Sequence, residues 1–313
     1  MMIGGTVAEN LPRLRVAVVL VNWNARRMTL DCLESIEKTG YPGLLAIVVD
    51  NGSGDGSVAA IKEAFPEVVV IENAENRLYC PAVNQGLAEA RKAGCDVVLL
   101  LNNDTIVDRF FFEAAIGRLE TSGDLIVTPK IYFLKQPTHF WFAVGTASLW
   151  TGLFRNRFYR VEDTGQLNAP REMDFTVGCC VLARLDVFEK IGGLDEAFLM
   201  YCDDLDWSLR ARAAGRHIIL EPEAKIFHHI SFSGDRESVD RRYLMTRNHL
   251  WVLRRHGRWY HRLVWFPMIP LRSGWRCLKL AKSLDPAGIG AEVRGVLHGL
   301  FRRLPPKPGP ISG

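Results

Sequence analysis

A chain of 313 residues, 48% hydrophobic and 24% charged, has enough apolar material for one large domain or two ordinary ones, which excludes a disordered or fibrous protein. No apolar run is long enough to span a bilayer, no charged-then-apolar leader opens the chain, and the seven cysteines lack Cys-x-x-Cys spacing, which reads as reduced thiols in a cytosolic protein. The net charge of +4 conceals an asymmetry: residues 1–240 hold 24 Lys/Arg against 33 Asp/Glu, and residues 241–282 hold 11 Lys/Arg and no acid.

Residues 1–14 read as a loose leader. Val16–Val21 is apolar without alternation, the mark of a strand buried on both faces, and it stops at Asn22-Trp23-Asn24. Met28, Leu30, Cys32, Leu33 and Ile36 then recur at helical spacing, up to Gly40 and a Tyr-Pro-Gly turn. The next strand, Leu44–Val49, runs into Asp50-Asn51-Gly52-Ser53-Gly54-Asp55-Gly56-Ser57. A helix over 58–65, a strand over 68–71 and a helix over 82–93 lead to the strand Asp96–Leu101, which breaks off at Asn102-Asn103-Asp104-Thr105. A helix is expected to start near Asp108. Four strand–helix repeats predict a parallel sheet with helices on both faces.

Residues 131–172 are rich in aromatics and predict irregular strands and long loops, partly core and partly pocket wall. Val177–Ala183 is apolar again, and a short helix, Leu185–Ile191, ends at Gly192-Gly193. An acidic knot, Asp203, Asp204 and Asp206, opens a helix over Leu205–Ala214, followed by a strand over His217–Leu220 and then Ile226-Phe227-His228-His229. Residues 241–303 form a basic helical extension in which Trp251, Trp259, Trp265 and Trp275 interleave with arginines. That mixture suits an anionic membrane surface better than nucleic acid, which is not expected as a partner; the plainer alternative is a helical cap with solvated arginines. Residues 304–313, rich in Pro and Gly, predict a disordered tail.

Three strand tips carry polar side chains: Asn22/Asn24, Asp50/Asn51 and Asn102/Asp104. Any one of them is explained by turn and cap chemistry, but ligands gather beyond the carboxyl ends of parallel strands, and three such tips point to a site. The first strand is not followed by Gly-x-Gly-x-x-Gly, which argues against a dinucleotide-dependent dehydrogenase. Crowded carboxylates such as Asp203, Asp204 and Asp206 raise one another's proton affinity and suit a general base, although one acid there would serve as a helix cap. Carboxylate oxygens with one late imidazole, His228 or His229, suit Mg²⁺ or Mn²⁺ holding a diphosphate.

With these motifs in order, residues 15–255 resemble the inverting family 2 glycosyltransferases of GT-A fold, above all the rhamnosyltransferase-like members that build bacterial surface glycans. The resemblance rests on residues 48–57, Asn84-Gln85-Gly86, Leu100-Leu101-Asn102-Asn103-Asp104-Thr105, Gly192-Gly193-Leu194-Asp195-Glu196, Met200–Asp206, Arg210–Gly215 and Pro222–His228. It implies an α/β, Rossmann-like, mostly parallel sheet over 15–240, with the basic extension behind it. By position it implies that Asp50 binds the donor's base, with Asn22 and Asn24 beside it, and that Asn84, Asn102 and Asn103 are donor contacts. It further implies that Asp104 and His228 hold the Mg²⁺ or Mn²⁺, that Arg210 meets a phosphate, and that Asp204 is the catalytic base.

The implied reaction moves a sugar, rhamnose by subfamily likeness, from a dTDP- or UDP-sugar to a lipid-linked or polysaccharide acceptor with inversion. The implied location is cytoplasmic, peripheral at the inner face of the cell membrane. Three departures stand out: Asn102 replaces the first acid of the family's Asp-x-Asp, as in the rhamnosyltransferase-like members; Asp203 replaces the usual Glu; and Asn76-Arg77-Leu78-Tyr79 lacks the glycine of the family's Asn-x-Gly-Phe and is followed by Pro81. The competing readings are a nucleotidyltransferase, which would need a Gly-rich basic loop absent from Val16–Arg27, and a catalytically inactive, membrane-associated carbohydrate-binding paralogue.

Overall fold

The computed structural model describes residues 14–121, 123–230, 238–306 and 308–309, so the expected leader lies outside the described residues apart from Leu14. The first half alternates as the sequence predicts: β1 (Val16–Asn22), α1 (Arg26–Glu37), β2 (Leu44–Asp50), α2 (Ser57–Ala64), β3 (Val69–Glu72), α3 (Tyr79–Lys92) and β4 (Val97–Asn102). β1 pairs in parallel with both β2 and β4, in a register that sets Asn22 beside Asp50 and Val21 beside Asn102. The polar tips are thereby brought to one edge. β1 and β4 are buried along nearly their whole length, which is why their side chains show no alternation.

Beyond β4 the chain departs from the predicted pattern. A short strand, β5 (Thr105–Val107), precedes α4 (Phe111–Glu120), where the sequence reading had a helix start near Asp108. The aromatic region contains β6 (Leu125–Phe133), buried throughout, then β7 (Gln136–Phe142), the hairpin β8 (Gly145–Ser148) with β9 (Leu153–Asn156), and β10 (Arg171–Met173). β11 (Cys180–Arg184) enters antiparallel between β4 and β6. The sheet order is β10-β12-β6-β11-β4-β1-β2-β3, parallel at its β4–β3 end and mixed beyond. Period-2 and period-3.6 patterns report burial of an element but not its partner, which is why the antiparallel insertion is invisible in the sequence.

α5 (Leu185–Ile191) falls as predicted, and α6 (Asp203–Ala213) starts two residues early, taking the acidic knot into its first turn. β12 (His217–His228) is far longer than the four residues expected. Its distal half pairs with β5 so that His228 lies opposite Thr105.

The extension is helical, as expected: α7 (Val239–His256), α8 (Trp259–Lys282) and α9 (Pro286–Phe301). α7 and α9 approach closely because α9 presents Gly295 and Gly299, where an added Cβ would lie 2.8 Å from Thr246 and Leu250 side-chain atoms. Among the described residues no helix is long and apolar enough to cross a membrane. The described part of the predicted disordered tail instead packs: Leu304 rests on the core and the Pro305 carbonyl accepts from Arg255.

Candidate active site

Asn22 sits at the centre of the strand tips and is fully buried. Its Nδ2 donates to Asp50 Oδ2 at 2.6 Å, and its Oδ1 accepts from Thr29 Oγ1 at 2.8 Å and Asn103 Nδ2 at 3.2 Å. Asn22 and Asn103 therefore tie β1, β2 and β4 together from inside, and Asn22 supports Asp50 and the Ser53 hydroxyl from behind. Asp50 also accepts from the Ser53 backbone N–H, which closes the Gly-rich loop after β2. Asn24, in left-handed backbone, accepts from the Gly54 N–H at 2.8 Å and holds the other wall of that loop. Among the expected donor contacts at the tips, Asn102 is half-buried at the end of β4.

Asp104 and His228 are brought within 3.0 Å, Oδ1 to Nε2, by the β5–β12 pairing across 124 positions of sequence. The edge of His228 packs on Trp141, ring centroids 4.3 Å apart, and its Nδ1 is buried without a hydrogen-bond partner. The nitrogen that faces Asp104 is Nε2, so a cation shared by the two residues would be held between Asp104 Oδ1 and His228 Nε2 in place of their hydrogen bond. Among the described residues no group of three or more His, Cys, Asp or Glu is placed to hold a metal ion by itself. Two protein ligands, with the rest supplied by a diphosphate and water, is the usual demand of Mg²⁺ or Mn²⁺.

Asp204 stands half-buried in the first turn of α6, accepting from the Gly178 N–H at 3.0 Å and the Leu205 N–H at 2.7 Å. Gly178 precedes Cys179, whose carbonyl accepts from the Asn102 N–H, so the approach to β11 couples the acid to the tip that carries Asp104. Tyr79 Oη donates to the Gly178 carbonyl at 3.0 Å and braces the same peptide. Burial raises the proton affinity of Asp204 against the pull of its backbone hydrogen bonds; burial and then the charge of Asp204 raise that of Asp203. The pair thus favours one negative charge, and Asp204 is its more accessible member.

The turn that presents this pair is strained. Leu199, Tyr201 and Cys202 all have φ between 61° and 67°, a region unfavourable to branched and bulky residues. It is held from α7: fully buried Asn248 donates through Nδ2 to the carbonyls of Phe198, Met200 and Tyr201 at 2.8–2.9 Å, and Arg247 donates to those of Ala197 and Phe198. Sequence reasoning missed this clamp because Arg247 and Asn248 looked like part of a basic surface.

Two expected ligand contacts are engaged elsewhere. Arg210 is buried; its Nε pairs with Asp206 at 2.9 Å and its terminal nitrogens donate to the carbonyls of Ile191, Gly192 and Gly193. Its guanidinium is committed to the loop before α6, four residues along the helix from Asp206, and offers nothing to a phosphate. Asn84 is likewise occupied: it donates to the Leu194 carbonyl and Glu196 and accepts from the Leu194 N–H, pinning that same loop to α3. The third acid, Asp206, is fully buried and neutralised by Arg210, Arg255 and His256, so it belongs to the junction with α7 and not to the pocket.

Comparison with known proteins bears on this geometry. The family described as glycosyl transferase family 2 matches residues 17–192. The chain is 25% identical over 223 residues to the O-antigen biosynthesis protein RfbC of Myxococcus xanthus, covering 68% of this chain but 17% of that protein. It is 25% identical over 244 residues to an N-acetylglucosaminyl-diphospho-decaprenol L-rhamnosyltransferase of Mycobacterium tuberculosis, covering 68% of this chain and 76% of that one. Among solved structures it is similar to GalNAc-T7 with UDP, GalNAc and Mn²⁺, with a TM-score of 0.64, 17% identity, and coverage of 92% of this chain and 54% of that one. This last likeness shows the GT-A fold.

Proposed function

Since the chain belongs to glycosyl transferase family 2, whose match spans more than half its length, we propose that it transfers a sugar from a nucleoside diphosphate to an acceptor hydroxyl with inversion. The observation that carries the reading is the coupling of two unlike centres at one sheet edge: the Asp104–His228 pair, and a base-like Asp204 hooked to the same strand tip through Gly178 and Cys179. A rhamnosyl group and a polyprenyl-diphosphate-linked acceptor are favoured by the name of the mycobacterial relative, and a dTDP- or UDP-sugar donor is what the family resemblance implies. The working place is then the membrane surface, on the cytoplasmic side.

In this reading Asp50, with Asn24 and the loop Ser53–Gly54, receives the nucleoside. Asp104 and His228 would hold Mg²⁺ or Mn²⁺, which when bound neutralises charge on the leaving diphosphate. Asp204 accepts the proton of the acceptor hydroxyl as that oxygen bonds to the anomeric carbon. The carbon–oxygen bond to the diphosphate breaks on the opposite face, and one displacement inverts the centre. Burial raises the proton affinity of both carboxyls of the pair, and Asp204 is the one more accessible to an acceptor hydroxyl.

The test is thermal denaturation with a panel of nucleoside diphosphates and sugar nucleotides, with and without Mn²⁺, followed by transfer assays on the best donor. The expected outcome is a metal-dependent rise in Tm with one nucleotide. Asp204→Asn should keep that rise and lose transfer by about 10²-fold or more. Wild-type turnover in Asp204→Asn would sink the assignment of the base.

A further inference from the structure

Sugar transfer leaves the outer side of α8 without a task. The inner side of α8 is anchored by the buried residues His261, Trp265 and Leu280, and by Arg272, which donates to the carbonyls of Thr151 and Gly152. The outer side exposes Trp259, Leu263, Phe266, Leu271, Trp275 and Leu278 at helical intervals, with Trp259 and Leu271 each 72% exposed. Of the 20 exposed large hydrophobic residues among those described, 11 lie between Trp259 and Phe301. Single exposed apolar residues are ordinary; a continuous face of them along a 24-residue helix requires a cover.

Charge decides what the cover is. Arg258 and Arg262 at one end of α8, and Lys279 and Lys282 at the other, are exposed. Both acids of the extension after Asp240 are consumed: Asp285 caps α9 by accepting from the Gly288 N–H, and buried Glu292 accepts from Thr246 and Arg276. The face is therefore apolar, framed by cations, and, among the described residues of the extension, without an uncommitted carboxylate. A second copy pressed face to face would bring like charges together, whereas an anionic lipid surface satisfies both features at once.

The face also reaches the catalytic domain. Exposed Trp150, between β8 and β9, packs on Tyr260 and His261 with ring centroids 5.2 and 4.7 Å away. At the other end of the hairpin, Asn156 donates to the carbonyl of Trp141, the residue that packs on His228.

We propose that α8, with Trp150 beside it, lies flat in the headgroup layer of an anionic bilayer and holds the Asp104–His228 edge at a fixed height above it. This deepens the lipid-linked acceptor reading above and rests on it: the surface that binds the bilayer is joined by one hairpin to the pocket that would receive the acceptor's sugar.

The experiment is co-sedimentation of the full chain with phosphatidylcholine vesicles with and without phosphatidylglycerol, at low and high salt. A Leu263→Glu/Leu271→Glu variant, changed only at exposed positions, is run in parallel. The wild type should bind phosphatidylglycerol vesicles and weaken about tenfold or more in their absence or in high salt; the variant should lose about tenfold or more, with its Tm and nucleotide-induced Tm rise unchanged. Wild type remaining in the supernatant, a variant that binds equally, or a lipid-free dimer that the variant dissolves would each overturn the proposal. Loss of the nucleotide response with vesicle binding intact would remove the transferase reading instead, so the two failures are told apart.

Discussion

Leu78, at the position where the family resemblance implies glycine, lies in backbone that favours glycine, with φ 68° and ψ −179°. The conformation is maintained by Asn76 Oδ1, which accepts from the Leu78 N–H, and by Asn51 Nδ2, which donates to its carbonyl. A side chain in this region costs about 1–3 kcal/mol, and glycine gives back about 0.5–1 kcal/mol through the entropy of the unfolded chain. Leu78→Gly should therefore raise Tm by about 1–4 °C, measured by calorimetry; a fall would show that the exposed leucine's contacts outweigh the strain. Pro81, the other departure in this segment, costs nothing, because it lies in the first turn of α3, where its missing N–H would have had no helical partner.

At the level of elements, α7 turns out to support the candidate active site from behind. Its Asn248 serves three carbonyls of the strained 198–201 turn, and its Arg255 and His256 complete the burial of Asp206 in α6. Asn248→Ala would remove the donor to the Met200 and Tyr201 carbonyls, while the Phe198 carbonyl keeps Arg247, at a cost of about 2–4 kcal/mol. The expected result is a lower Tm together with a kcat reduced about tenfold or more and a donor KM within about twofold. A purely structural residue would lower Tm and the amount of active protein while leaving kcat per folded molecule unchanged. The basic character of residues 241–282 thus divides into two kinds: Arg247, Arg254, Arg255 and Arg272 bond inward to carbonyls and acids, while Arg258, Arg262, Lys279 and Lys282 face out.

For the molecule as a whole, two titrating groups govern how firmly the extension holds to the sheet domain. Burial pushes Asp206 up, but the hydrogen bond from His256 and the charges of Arg210 and Arg255 outweigh it and hold the carboxyl at about 2. Its contribution is complete above the ordinary carboxylate range and is lost as pH falls through about 2. His249, whose Nε2 meets the Gly152 carbonyl at 2.9 Å, is pushed down to about 4 by burial and then by Arg276 and Arg272. The unfolded chain binds a proton near pH 6.5 and the native one only near 4, so stability declines as pH falls across that window, by up to about 3 kcal/mol. His249→Gln keeps a donor for Gly152 without titrating, and its Tm should stay flatter than the wild type's between pH 6.5 and 4 when followed by circular dichroism. Parallel curves would place the acid-sensitive group elsewhere.

The sequence by itself determined the strands at β1, β2 and β4, because residues buried on both faces must be apolar throughout, and it placed Asp50, Asp104 and Asp204 at element ends by their abrupt polarity. It also marked His228 and His229, through the short apolar run before them. Only the tertiary structure decided which of these polar residues meet. The Asp104–His228 contact depends on a strand pairing that no local pattern encodes, and Arg210, Asn84 and Asp206 look alike in sequence whether they face a ligand or a neighbouring loop. The reason is physical: periodicity records how much of a residue is removed from water, whereas a hydrogen bond or ion pair depends on the atoms that long-range packing brings within about 3 Å.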